Sequence, residues 1–248
     1  MLGIIGGTGL TRLGNLEITH RQVIRTPYGE PSGALSYGNI NNHQVLFLAR
    51  HGYGHTIPPH LVNYRANLWA LHAEGVREVV SVATVGGISA ESAPGCIVMP
   101  DQIIDYTYGR KLTFHDQTDI PVTHIDFTEP YSAALRDLCK QAATAARQAY
   151  LDGGVYAAVQ GPRLETAAEI NRLERDGATI VGMTGMPEAA LARELGIEYA
   201  AICVVANYAA GRADSKHGIR YEQIDAVLDG AMHRVHTILE HLVVLHAG

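Results

Sequence analysis

The sequence predicts an α/β protein built around a largely parallel central sheet. Short, almost continuously apolar runs rich in β-branched residues alternate with longer stretches whose apolar residues recur at helical spacing. Strands that are apolar at nearly every position are typical of parallel sheets covered by helices on both faces. The 248 residues contain no Pro/Ser-rich linker, charge run or repeat, so we expect a single domain spanning residues 1–248.

Six apolar runs, bounded mostly by Gly, Pro, Asn or Asp, are predicted to be strands. In chain order they are residues 2–5, 43–49, 78–85, 155–160, 178–183 and 199–206. Helices are predicted for residues 61–75, 129–149, 165–177, 187–196 and 221–246. The fourth helix has Pro187 in its first turn and Gly196 at its end, the usual places for these residues. The last helix is long and amphipathic, which fits either a flank over the sheet or an oligomer contact.

The composition limits the classes of function. Hydrophobic residues make up 47% of the chain and charged residues 18%, which is typical of a globular protein with a large core. A net charge of −6 gives no basic surface for nucleic acid. No apolar run could span a membrane, and strand-like residues begin almost at Met1, so we expect neither a membrane segment nor a signal peptide. The 3 scattered cysteines and 13 histidines form no disulfide or metal motif, which favours a reduced, cytoplasmic protein without a metal.

Four of the predicted strands end in a hydroxyl, a cation or a glycine-rich turn. The first strand is followed by Thr8 within "GGTGL", and the second by Arg50 and His51. The third carries Thr84 before paired glycines, and the fifth is followed by Thr184 just before a helix. Each motif alone also fits a tight turn or a solvated loop. Because ligands collect at the carboxyl ends of strands in such sheets, the four together predict a pocket for a small anion.

Several longer motifs resemble one known family. In order along nearly the whole chain they are "GGTGL" at 6–10, "RHG" at 50–52, "PGCIVMPDQIIDYT" at 94–107, "HIDFTEPY" at 124–131, "GPRLET" at 161–166 and "MTGMPEAALARELGI" at 183–197. With these motifs the chain resembles the trimeric purine nucleoside phosphorylases, especially their methylthioadenosine phosphorylase branch. The resemblance implies one α/β domain around a mixed sheet. It also implies phosphorolysis of a nucleoside to free base and ribose 1-phosphate, without a metal or organic cofactor.

By this resemblance, the predicted anion is the co-substrate phosphate. Its expected ligands are Thr8, Arg50, His51, Thr184 and the backbone of Ala83 and Thr84, with the Thr84 hydroxyl as a further candidate. Where the branch usually has Thr-Ala, this chain has Ala83-Thr84. Met183 is expected to lie against the ribose. Cleavage of the glycosidic bond builds positive charge on the ribose, which a phosphate under C1′ stabilises while it is poised to attack.

The residues expected beside the purine predict which base is bound. The adenosine-cleaving branch has an Asp at this position and a second Asp two residues later, whereas this chain has Asn207 and Ala209. An amide can donate to a 6-oxo group and accept from N7–H of the leaving base, and Asn207 and His51 are the candidate catalytic residues. Leu164 and Glu165 of "GPRLET" are expected at the base, where a carboxylate would accept from the N1–H of a 6-oxopurine. The simpler alternatives are a charge in a helix's first turn for Glu165 and a turn residue for Asn207.

Two residues bear on the 5′ group of the sugar. His124 matches the methylthio branch, in which a neighbouring subunit of a homotrimer lends this histidine to the site. Ile219 is the best occupant of the position where enzymes for a 5′-hydroxyl have a histidine, although His217 is close in sequence. An apolar side chain favours a methylthio group, because a hydroxyl would be left without a partner. Methylthioinosine is therefore the predicted substrate; the alternatives are inosine or guanosine, methylthioadenosine, and a nucleoside-binding sensor without turnover.

Overall fold

A mixed sheet forms the centre of the molecule. The computed structural model describes residues 1–10, 13–119, 121–219 and 221–248. The strands are β1 (Leu2–Gly6), β2 (Glu17–Gln22), β3 (Leu35–Ile40), β4 (His43–Ala49), β5 (Glu78–Gly87), β6 (Ile97–Met99), β7 (Gln102–Asp105), β8 (Leu151–Asp152), β9 (Val155–Ala158), β10 (Ile180–Gly182) and β11 (Glu198–Tyr208). The helices are α1 (Tyr64–Ala73), α2 (Ala133–Ala145), α3 (Ala167–Arg175), α4 (Gly185–Glu194) and α5 (Tyr221–Ala247).

Parallel pairing dominates the middle of the sheet. Strands β4, β1, β5 and β11 are parallel neighbours, and β2 and β3 extend the β4 side in antiparallel pairs. On the other side, β10 runs antiparallel to β5, whereas β9 and β7 run parallel to β10. β5 pairs with β1 along its first residues, with β10 along its last, and with β11 over its whole length. This architecture confirms the predicted α/β class with a mixed, largely parallel sheet.

All six predicted strands and all five predicted helices are present, with ends shifted by a few residues. The prediction missed β2, β3, β6, β7 and β8. Strand β2 lies at the edge of the sheet and every one of its residues is exposed, so its sequence has no apolar pattern. Strands β6, β7 and β8 are 3, 4 and 2 residues long, too short for any periodicity to be seen.

Helices cover both faces of the sheet. On one face α2 and α5 bury side chains such as Leu135, Val235 and Ile238, and on the other α1 and α4 bury Leu68 and Leu191. Full burial of such a side chain contributes about 1.5–3 kcal/mol. The apolar stripe of the last helix is therefore part of the core, as expected of a flank over the sheet.

The cysteines in the described residues are free thiols. Burial raises the pKa of both Cys139 and Cys203 to about 12, so neither is a thiolate near neutral pH. Within the described ranges, no helix is both long and apolar enough to cross a bilayer.

Candidate active site

One cavity of about 700 Å³ gathers nearly all of the predicted site residues. A cavity of this size can enclose a nucleoside-sized ligand. Among the residues that line it are Thr8, Arg50, His51, Ala83, Thr84, Leu164, Glu165, Met183, Thr184, Asn207, Ala209 and Ile219. Of the predicted site residues, only His124 is outside this lining. The roles assigned to these residues remain predictions.

The strand ends converge with a different geometry from the one predicted. Thr8, Arg50 and Thr84 follow or end parallel strands, as expected. Strand β10 is antiparallel to β5, with Ile180 opposite Gly87. The chain beyond β10 therefore runs back along β5, and Thr184 enters the pocket from the opposite direction to the other three.

Arg50 is fully buried and its guanidinium is bound to the protein itself. Its Nε and Nη2 donate to the two carboxylate oxygens of Glu188, at 2.7 and 2.8 Å, and Nη1 donates to the Val82 carbonyl at 3.1 Å. Burial lowers the pKa of Arg50, but the charge and hydrogen bonds of Glu188 outweigh it and raise the pKa. Glu188 therefore occupies the two parallel N–H donors with which an arginine would bind an oxyanion such as phosphate. One N–H of Nη1 is not used by these bonds.

His51 is a buried, neutral imidazole. Its Nδ1 is 2.7 Å from the carbonyl oxygen of Ile57, which assigns the proton to Nδ1 and leaves Nε2 as an acceptor. Burial, followed by the charge of Arg50, lowers the pKa of His51 to about 4. Near neutral pH Nε2 can therefore accept a hydrogen bond from a ligand but cannot donate one to it.

The threonine hydroxyl groups at this end of the pocket differ in the hydrogen bonds that they make within the protein. Thr84 donates its only hydroxyl proton to the carbonyl oxygen of Thr8 at 2.9 Å, so the pair joins β5 to the loop after β1. The Thr8 hydroxyl lies 3.4 Å from Nε2 of His55, a pocket residue that the sequence analysis missed. Thr184 lines the pocket just before α4 and makes no side-chain capping bond, and the helical geometry of α4 is interrupted at Met186.

Asn207 lies at an irregularity of β11, one residue inside the strand end. The pairing of β11 with β5 shifts by one residue between Val205 and Asn207, which leaves Ala206 as the extra residue of a β-bulge. A bulge changes the direction of the side chains that follow it, and Asn207 lines the pocket. Its Nδ2 donates to the Tyr208 carbonyl at 2.7 Å, so Oδ1 and the second N–H remain for a ligand.

Glu165 lies just outside helix α3. Thr166 is the N-cap, and it forms a capping box with Glu169, so the first-turn charge is Glu169 rather than Glu165. Burial raises the pKa of Glu165 above its ordinary value of 4.5. Within the described residues, the Glu165 carboxylate has no hydrogen bond or ion pair to another side chain. It also borders two neighbouring cavities of about 410 and 460 Å³.

The remaining wall of the pocket is mostly apolar. Met183 lies against Gly161, and Ile219 is joined in the lining by two apolar residues from the first turns of α5. These residues are Ile224 and Leu228, which lie on the apolar stripe of the last helix. Their spacing of four residues was the available signal, but it does not distinguish a core face from a pocket face. Asp225 from the same turn also lines the cavity and was missed.

His124 is exposed and lies between β7 and α2, in a segment whose described residues form no helix or strand. It does not line the cavity of its own chain. Its predicted role in a neighbouring subunit stays a prediction. No group of three or more His, Cys, Asp or Glu side chains within the described ranges is placed to hold a metal ion.

The fold and the pocket define an α/β enzyme with the nucleoside phosphorylase fold. Residues 1–244 match the family model of the phosphorylase superfamily, so the chain belongs to the phosphorylase superfamily. The family resemblance carried by the sequence motifs is confirmed.

Individual relatives are similar over most of their length. A protein of Pseudomonas syringae pv. tomato named probable S-methyl-5'-thioinosine phosphorylase is 51% identical, with 95% of each chain covered. The 6-oxopurine nucleoside phosphorylase of Pyrococcus furiosus is 44% identical, covering 87% of this chain and 82% of its own. Among solved structures, methylthioadenosine phosphorylase from Schistosoma mansoni in complex with adenine superposes with a TM-score of 0.93 at 30% identity, covering 99% of this chain and 91% of its own.

Proposed function

We propose that this chain catalyses the phosphorolysis of S-methyl-5'-thioinosine to hypoxanthine and 5-methylthioribose 1-phosphate, in salvage of purines and methylthio nucleosides. The observation that carries the proposal is the composition of one pocket wall. Glu165 and Asn207 line the same cavity as the apolar residues Ile219 and Leu228. The first pair suits a 6-oxopurine, and the second suits a methylthio group. The name of the Pseudomonas syringae relative supports this combination.

Phosphate is the proposed nucleophile, at the end of the pocket where Thr8, Arg50, His51 and Thr184 meet. Thr184 and the free N–H of Arg50 donate to it, and backbone N–H groups at Ala83–Thr84 add to them. Neutral His51 accepts a hydrogen bond through Nε2 from a phosphate hydroxyl or from the sugar. An anion held under the sugar stabilises the positive charge that develops on the ribose and then attacks C1′.

Asn207 and Glu165 are the proposed base-recognition pair. The leaving purine gains electron density, and Asn207 stabilises it by donating to the 6-oxo group and accepting from N7–H through Oδ1. The Glu165 carboxylate accepts from N1–H of a 6-oxopurine and repels the N1 lone pair of a 6-aminopurine. A buried donor–acceptor mismatch of this kind discriminates by about 10⁴–10⁵ at its strongest. Leu164 and Ala209 complete the base site.

At the sugar, Met183 packs against the ribose, and Ile219, Ile224 and Leu228 surround the methylthio group. We further propose a homotrimer of one-domain subunits spanning residues 1–248. In that assembly His124 reaches the 5′ end of a neighbouring site. Phosphate is a co-substrate and no metal or organic cofactor takes part. A cytoplasmic location, without nucleic-acid or membrane partners, fits the composition.

The test is a substrate panel that varies the 6-position and the 5′-position independently. Methylthioinosine, methylthioadenosine, inosine and guanosine are each incubated with and without phosphate, and free base is measured. We expect methylthioinosine to have the highest kcat/KM and turnover to require phosphate. Faster cleavage of methylthioadenosine contradicts the base assignment, and equal rates for inosine contradict the apolar 5′ pocket. Binding without release of base indicates a sensor.

One variant separates the base assignment from the overall reaction. Asn207→Asp supplies a carboxyl that can accept from a 6-amino group, so its preference is expected to move towards methylthioadenosine. An unchanged ratio of kcat/KM for the two methylthio nucleosides rejects the role of Asn207. The 6-oxopurine nucleoside phosphorylase reaction is the second candidate, because the Pyrococcus furiosus relative carries that name.

A further inference from the structure

Arg110 is a buried cation whose contacts reach two parts of the pocket wall. It lies in the segment between β7 and α2, and only 8% of its surface is exposed. The six hydrogen bonds of its guanidinium all go to neutral oxygen atoms, four of them backbone carbonyls. Burying a charge without an acidic partner is costly unless every N–H is satisfied.

The first part is the segment that carries the proposed phosphate and ribose contacts. Nη1 of Arg110 donates to the carbonyl oxygens of Met183 and Met186, at 2.8 and 2.6 Å. These two carbonyls flank Thr184, which lines the pocket just before α4. The same Nη1 is 3.3 Å from the hydroxyl of Tyr64, the first residue of α1, so Arg110 also contacts that helix. The Arg110 guanidinium therefore fixes the backbone on both sides of Thr184.

The second part is the loop that carries the proposed base contact. Nη2 donates to the carbonyl oxygens of Val159 and Gln160 at 3.2 and 2.9 Å, and Nε donates to Oε1 of Gln160 at 3.1 Å. The chain continues from Gln160 into the loop that ends with Glu165. One rigid, planar group thus ties the start of this loop to the segment around Thr184.

We propose that Arg110 is a positioning residue that sets the base loop at a fixed distance from the phosphate and ribose segment. This role rests on the proposed function. A nucleoside spans both segments, and misplacement of reacting groups by about 1 Å costs on the order of 10²-fold in rate. Arg110 does not line the pocket, so it acts through Met183, Thr184 and Glu165 rather than on the substrate.

The experiment compares Arg110→Met and Arg110→Lys with a matched control, Arg234→Met. Arg234 also donates to a glutamine side chain, Oε1 of Gln148, and to the backbone carbonyls of Gly95 and Ala149, but it does not line the pocket. At a temperature where all variants are folded, Arg110→Met is expected to raise the KM for phosphate about tenfold and to lower the preference for methylthioinosine over methylthioadenosine about tenfold. Arg110→Lys restores part of both, and Arg234→Met changes neither.

A second readout does not depend on turnover. In the ligand-free Arg110→Met protein, amide hydrogen exchange is expected to be faster in residues 160–166 and 183–187 together, and unchanged there in Arg234→Met. If the wild-type protein cleaves no nucleoside, the proposed function fails while this measurement still tests the coupling. Unchanged exchange in both segments, or equal kinetic losses in Arg234→Met, overturns the proposal. If Arg110→Met does not fold, the same comparison is made with Arg110→Lys.

Discussion

Three side chains at the anion end of the pocket have donors that are bound to the protein itself. Arg50 donates two hydrogen bonds to the carboxylate of Glu188. Thr84 donates its hydroxyl hydrogen bond to a backbone carbonyl oxygen, and His51 donates from Nδ1–H to another. These bonds fix the orientation of each side chain before a ligand arrives, which lowers the cost of ordering them on binding. Glu165 differs, because burial raises its pKa and the nearby charge of Arg163 opposes this shift without cancelling it.

This environment predicts a pH-dependent base preference. As pH falls through the raised pKa of Glu165, the carboxylate becomes protonated and stops repelling the N1 lone pair of a 6-aminopurine. The ratio of kcat/KM for methylthioinosine to that for methylthioadenosine is therefore expected to fall at low pH, with its midpoint above 4.5. Because both substrates use the same phosphate, its own titration cancels in the ratio.

The matched variant is Glu165→Gln, whose ratio is expected to be low and independent of pH. A group whose pKa is raised on folding destabilises the folded state once pH exceeds its unfolded pKa. Removing the charge is therefore expected to raise the melting temperature of the ligand-free protein at neutral pH. A ratio that still changes with pH in Glu165→Gln assigns the titration to another group.

Most pocket residues could be predicted from the sequence, but their bonding could not. Thr8, Arg50 and Thr184 each follow an apolar strand, a local pattern that is visible in one dimension. Glu188 is distant in sequence from Arg50, and the sequence gives no sign that it occupies the fork. The partner of a buried charge depends on packing between elements, which strand and helix patterns do not specify.

At the scale of elements, two short irregularities determine where the base-binding groups lie. The bulge at Ala206 sets the direction of Asn207, and the turn at Gly161 leads into the loop that carries Glu165. Gly161 has φ of +60°, and a Cβ added there would lie 2.4 Å from Sδ of Met183. The turn and the ribose contact are therefore packed against each other.

Gly161→Ala is expected to lower kcat/KM by about tenfold, because Met183 or the turn must move. Gly177 is a matched control: its φ is +96°, and nothing lies within 4 Å of an added Cβ. Both substitutions carry the left-handed strain of about 1–2 kcal/mol and are expected to lower the melting temperature. Equal losses of activity in the two variants would mean that the contact with Met183 has no functional role.

Long helices and buried strands were predictable because their periodicity extends over many residues. The bulge of β11 was not, since the apolar run from Ala201 to Ala206 has no feature that marks the register shift. The three strands of 2 to 4 residues were missed because their pairing is determined by neighbouring strands rather than by their own sequence.

At the scale of the whole molecule, the pocket of one chain lacks a predicted member. His124 is exposed and does not line its own cavity. In the proposed trimer, each site would combine the core residues of one subunit with His124 of the next.

Complementation between two inactive variants tests this arrangement. His124→Ala and Asn207→Ala are each expected to have low activity on methylthioinosine. In 1:1 mixed trimers, about a quarter of the sites would combine an intact Asn207 with an intact neighbouring His124, so activity is expected to return. The control is His115→Ala, in the same segment, which is expected to be active alone. No recovery in the mixed sample, with oligomers formed, rejects the shared site.

The segment between β7 and α2 carries two residues with proposed roles in the site. Its described residues form no helix or strand, yet it carries Arg110 towards the interior and His124 at the surface. Changes of length or sequence here break no ladder bonds of the sheet, which loops generally tolerate. Substitutions at the exposed positions of this stretch can therefore change the surface near the site while the sheet and Arg110 are retained. For directed evolution of new nucleoside specificity, a library confined to the exposed residues of this stretch would leave the buried Arg110, Phe114 and Tyr131 in place.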